Sequence, residues 1–178
     1  MERMIKMLYD SIISSHYSSS KYAYRQRKLI RSLDKNYDEI ISSYEYINRE
    51  LDGKRELVPA AEWLLDNVYL IEKEYKDIKY ITSRDYFKNL PVIDNGIMEG
   101  YPRIYSIAEE IISHSDGRIS EDEIETFINE YQKNTILLTG ELWALPVMLR
   151  IVIIHNISKV VSGILFSVKE KSKGGKAC

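Results

Sequence analysis

The sequence predicts an all-α fold: an irregular bundle of about five to seven helices, with a long N-terminal helix and a long kinked C-terminal one. Three observations lead there. Apolar residues recur at three- and four-residue spacing, strand-like alternation is nearly absent, and prolines stand mostly where helices would begin. The 178 residues suffice for one domain with an ordinary core. The pattern divides them into an N-terminal arm and long helix (1–58), a helical core (59–168) and a flexible basic tail (169–178).

A short helix is expected from Glu2 to Ser14, ending at the serine run Ser18 to Ser20. The next runs from Lys21 to Leu51, with Leu29, Leu33, Tyr37, Ile40, Ile41, Tyr44 and Ile47 on its inner face and Gly53 beyond its end. Arg25, Arg27, Lys28 and Arg31 cluster in its first half. The acidic second half offsets them, which favours a solvated face over a phosphate-binding patch. Pro59 opens a third helix through about Lys79, with Ala60, Leu64, Val68, Ile71, Tyr75 and Ile78 inward and Glu62, Asp66, Tyr69 and Lys73 opposite. That charged face reads either as a solvated surface or as a face that docks onto another part of a larger protein.

Asn89 to Gly100 reads as a loop, followed by a helix from Pro102 to His114 and a turn at Asp116-Gly117. Ser120 and Glu123 form the pattern of a capping box for a helix Glu121 to Gln132. The last helix is expected from Thr139, as N-cap, to Val168, kinked or tightened at Pro146. Leu142, Leu145, Leu149, Ile153, Val160 and Ile164 form its expected core stripe, with His155, Ser158, Lys159 and Ser162 on the polar side. Arg150 lies at the stripe's edge and is expected to be buried against an anion. Glu141 lies on the far side of the helix, leaving Asp66, Glu62 or Glu110 as partners.

Net charge is -2, with 25 basic and 27 acidic residues, so no nucleic-acid partner is expected. The single cysteine, Cys178, allows no internal disulfide. No secretory signal and no membrane span are read, because charges interrupt every long apolar run, including Arg150 in the last one. Ser115 to Glu123 matches the end of a calcium loop, but Ile112 and His114 occupy positions that need carboxylates. Glu110 and His114 form one surface pair, without the further ligands a di-metal bundle needs. No nucleophile motif, phosphate loop or zinc spacing is present, and no catalytic, cofactor-binding or metal-binding residue is assigned.

Four blocks in order carry a resemblance: ELVPAAEWLLDNVYLIEKE from Glu56, YFKNLPV from Tyr86, GYPRIYSIAEEIISHSDGRI from Gly100, and YQKNTILLTGELWALPVMLRIVIIHNI from Tyr131. Together they closely resemble the N-terminal helical region of the bacterial cyclic β-1,2-glucan synthases. The resemblance implies a large membrane enzyme as parent, which builds a glucan from UDP-glucose with a divalent metal. This chain would lack the transferase and phosphorylase-like domains and hold no cofactor of its own. Its expected partners are the remaining domains of the parent, or a second copy of itself, at the cytoplasmic face of the inner membrane. Its expected role is a non-catalytic scaffold or docking region; the alternative is a stand-alone all-α interaction module. Glu62, Trp63, Asp66, Asn67, Tyr101, Pro102, Arg103, Asp116, Gly117, Arg118, Glu141, Trp143, Pro146 and Arg150 fall in the resembling blocks, with packing, capping or docking roles expected.

Overall fold

The computed structural model describes residues 22–50, 58–82, 86–87, 89–93, 96–115 and 119–174. The expected helix Glu2 to Ser14, the Gly53 stop and the Asp116-Gly117 turn lie outside them. Within them the protein is all-α, with five helices: α1 (Tyr22–Glu50), α2 (Pro59–Thr82), α3 (Arg103–His114), α4 (Glu121–Gln132) and α5 (Thr139–Gly174). An isolated antiparallel bridge, Val92 to Pro102, adds the one piece of extended pairing among the described residues. The chain divides into two compact units, Met1–Arg31 with Ile81–Val152, and Ser32–Tyr80 with Ile153–Cys178.

The second unit is built from parts of α1, α2 and α5. Leu33, Ile40 and Ile47 of α1, and Leu64, Ile71 and Ile78 of α2, are buried as their spacing requires. Ala60 is exposed instead, and Ala61 takes the inward place in the first turn. Polar groups are paired between helices. Asp34 accepts from the Tyr75 hydroxyl at 2.9 Å and from the Lys79 ammonium at 2.8 Å. The Tyr75 ring stacks on Tyr37 with centroids 3.8 Å apart. Asn36 lies 2.8 Å from His155 Nδ1, and the Ser158 hydroxyl donates to Glu39 at 2.8 Å. The expected polar side of α5 therefore faces inward in part: Ser158 is buried and His155 is half-buried.

The first unit centres on the turn before α3. Gly96 and Gly100 adopt φ of 82° and 83°, the left-handed region where a side chain would be strained. The Gly100 amide donates to the Ile93 carbonyl at 2.8 Å and the Ile93 amide to the Tyr101 carbonyl at 3.0 Å. Lys28 of α1 donates to the Glu99 carbonyl at 3.0 Å, with its ammonium 4.7 Å from the Tyr101 ring centroid. The Ser120–Glu123 capping box opens α4 with both reciprocal bonds formed.

Helix α5 departs most from expectation. It runs without interruption through Pro146 and on to Gly174, past the expected end at Val168. Glu141, Ala144, Leu145, Val147, Met148, Ile151, Val152, Ile154, Ser158 and Val161 are buried along it, while Leu142, Ile153 and Val160 of the expected stripe are exposed. So many positions from Leu142 to Ile157 are apolar that periodicity does not select one face. By length and composition Thr139–Leu165 could cross a membrane, with a mean hydropathy of 1.6. A soluble core helix passes the same test, and half of that window is buried within the protein.

The Tyr75 contacts make stability sensitive to alkali. Burial first, then the Asp34 carboxylate, push its phenol up to about 12 from the ordinary 10. Below pH 10 the hydroxyl is protonated whether folded or not, and its contribution is complete. Between 10 and about 12 the unfolded chain releases the proton first, so that stability drains away as pH rises. Urea denaturation from pH 8 to 12 should show Tyr75→Phe less stable at pH 8 but with a shallower alkaline decline than the unsubstituted chain. Parallel curves would contradict this coupling.

Candidate functional site

The residues of the resembling blocks separate into a buried group that holds the first unit together and an exposed group that the packing does not use. The buried group is organised around Arg103 and Glu141. Pro102 precedes α3 with φ of -56°, and its side chain caps nothing. The Arg103 amide is satisfied by the Pro91 carbonyl at 2.8 Å. A cation at a helix N-terminus opposes the macrodipole, so Arg103 needs a strong anionic partner.

Glu141 is that partner. Arg103 donates from Nε to Oε1 at 2.9 Å and from Nη2 to Oε2 at 2.5 Å, a bidentate fork. Nη2 also reaches the Ile136 carbonyl at 3.3 Å. Glu141 itself is 0% exposed and Arg103 8%. The Glu141 carboxylate accepts a third bond, from the Leu138 amide at 2.9 Å. The Leu138 carbonyl takes the first intrahelical bond of α5, from the Leu142 amide at 3.1 Å, which makes Leu138 the N-cap and Thr139 the first helical residue. Leu138 has no side-chain oxygen to return the bond, so Glu141 supplies half of a capping box and the negative charge that the helix start favours.

The expected buried arginine is therefore the wrong one. Arg150 is exposed, and the buried guanidinium belongs to Arg103. Its partner is the Glu141 that the helical wheel set aside for Arg150. Each residue carries a local signal, an arginine at the first position of a helix and a glutamate three residues after a helix cap, but nothing in the sequence pairs the two.

Tyr131 completes the cluster. It is buried, and its hydroxyl has no hydrogen-bond partner among the described residues. Burial pushes its phenol above the ordinary value; the Arg103 charge pulls it down and the Glu141 charge pushes it up.

The exposed group lies in two places. At the start of α5, Ile136 is 79% and Trp143 76% exposed, with Leu138, Leu142 and Pro146 also exposed. The Tyr86 hydroxyl donates to the Trp143 carbonyl at 3.0 Å, fixing the backbone beneath the indole. On α2, Glu62, Trp63 and Asp66 are exposed, and Asn67 donates to the Trp63 carbonyl at 2.8 Å. Tyr101 is half-buried and stacks against Tyr105 at 5.2 Å. Asp116, Gly117 and Arg118 lie outside the described residues. The His114 imidazole lies 3.5 Å from Glu110 on the surface, and no three His, Cys, Asp or Glu side chains come together as a metal site among the described residues.

No protein-family model matches the chain. Over 140 residues it is 29% identical to the cyclic beta-(1,2)-glucan synthase NdvB of Rhizobium meliloti (strain 1021). The match covers 78% of this chain and 5% of the relative's length.

Breaking the buried pair from one side should be severe. Glu141→Leu or Arg103→Met alone should each cost about 3–5 kcal/mol, because the remaining charge is stranded without water. The double substitution should recover most of that loss in a denaturation cycle; simple additivity would show that the two charges do not depend on each other. Tyr131→Phe removes a buried hydroxyl that has no partner among the described residues and should leave the melting temperature unchanged or raise it. A loss above about 1 kcal/mol would reveal a hydrogen bond at that oxygen.

Proposed function

We propose that this chain, a member of the cyclic β-1,2-glucan synthase family, is a non-catalytic helical scaffold that docks the remainder of such a synthase through the start of α5. The observation that carries this is the apolar surface of Ile136, Leu138, Leu142, Trp143 and Pro146 on a backbone pinned from below. The Arg103–Glu141 fork, the Leu138 amide and the Tyr86 hydroxyl all hold that segment rigid. Exposed apolar surface of this kind marks interaction sites, and tryptophan is among the side chains that most often dominate them. A preorganised surface also loses little freedom on binding.

The occupant is another part of the synthase, since the chain spans about one-twentieth of the relative's length. UDP-glucose and a divalent metal belong to that remainder, at the cytoplasmic face of the inner membrane. The described residues contribute capping, packing and docking rather than chemistry.

The test is a chimera in which this chain replaces the matching segment of the Rhizobium synthase. The chimera should make glucan from UDP-glucose, and Trp143→Ala should lower its output at least about tenfold through loss of docking, visible as faster limited proteolysis of the inserted segment. Glucan synthesis by the isolated chain with UDP-glucose and Mg²⁺ would overturn the scaffold reading.

A further inference from the structure

The outer face of α2 differs in kind from the start of α5. On a helical wheel Trp63 and Leu70 lie along one edge of the exposed strip and Tyr69 and Tyr80 along the other. Glu62, Asp66, Lys73 and Asp77 run between them. The aromatic side chains are exposed: Trp63 is 49%, Tyr69 63% and Tyr80 79% exposed. At ~1.5 Å rise per residue the strip is about 25 Å long from Trp63 to Tyr80.

A dry protein interface disfavours this composition. Interface cores are depleted of Asp, Glu and Lys, because each charge must be stripped of water. Here the charges occupy the centre of the strip and the rings its margins. The complementary ligand has an apolar face for the rings and many hydroxyls for the carboxylates and the ammonium. A pyranose is such a molecule. In β-linked glucose the substituents are equatorial, so each face of the ring presents only C–H groups, which aromatic rings cover well. The hydroxyls at the rim then donate to Glu62, Asp66 and Asp77 as charge-assisted bonds and accept from Lys73. A strip several sugars long suits a polymer better than a monosaccharide.

We infer that the outer face of α2 from Glu62 to Tyr80 is a surface site for a β-linked glucan chain. The inference rests on the synthase reading above and adds a role for this region: holding product near the enzyme.

The chain has two tryptophans, Trp63 and Trp143, so Trp143→Phe leaves Trp63 as the sole indole reporter. That full-length variant is titrated with β-1,2-linked gluco-oligosaccharides, with α-1,4-linked malto-oligosaccharides as the control. Saturable change in Trp63 fluorescence with the β-linked series is expected. Calorimetric titration of Tyr69→Ala/Tyr80→Ala should show at least about tenfold weaker affinity with an unchanged melting temperature, since both side chains are exposed. No saturable binding, equal binding of the α-linked series, or unchanged affinity in the double variant would each overturn the proposal. Loss of docking in the chimera by the α2 substitutions, read by limited proteolysis, without glucan binding by the isolated chain, would make this face a protein contact and also overturn it. A chain that binds β-glucan but does not support the chimera would sink the docking reading alone.

Discussion

The Arg103–Glu141 pair is the constraint on which the first unit depends. Two charges are taken out of water there, and neither could be buried alone. Glu141 meets its requirement with two guanidinium N–H groups and the Leu138 amide; Arg103 meets part of its own with the Ile136 carbonyl. The bonds tie together the first residue of α3, the segment before α5 and the first turn of α5. A hydrophobic pair of equal volume could hold these elements as tightly, but it would not specify their register. A bidentate fork tolerates little rotation or sliding, so the pair decides which side of α5 turns inward.

That decision explains what was legible in the sequence and what was not. On α1 and α2 the apolar positions alternate with charged ones at helical spacing, and the buried sets Leu33, Ile40, Ile47 and Leu64, Ile71, Ile78 followed from the pattern. On α5 nearly every side chain from Leu142 to Ile157 is apolar, and a stripe chosen by hydrophobicity alone had several equivalent orientations. The orientation is set by Glu141, a residue that polarity assigns to the surface. The same rotation exposes Arg150. Of the candidate site, Pro102, Arg103 and Glu141 were identifiable as members of the resembling blocks, yet their mutual contact was not. It joins residues 38 apart in sequence, and no local spacing encodes it.

Similarity to a synthase over 140 residues at 29% identity relates the chain to that family without assigning it a task. The distribution of side chains goes further. Gly100, with its positive φ, and Pro102, Arg103 and Glu141 are used up in building the fold. Trp63, Asp66, Trp143 and Pro146 are not: they stand at the surface, where the packing of each unit makes no demand for a tryptophan or a helix-interior proline.

Two tryptophans in solvent are costly to solubility and gain nothing from the core. Their surroundings distinguish what would cover them. Trp143 stands on a pinned backbone with the exposed Leu142 and Pro146 on the same helix, the setting of a dry contact. Trp63 lies beside a row of charges that such a contact would have to desolvate, a penalty of several kcal/mol per ion. A ligand that brings hydroxyls to those charges removes the penalty by replacing the water it displaces. The two indoles therefore call for occupants of different chemistry, one apolar and one polyhydroxylated, although both stand on helices of one small all-α chain.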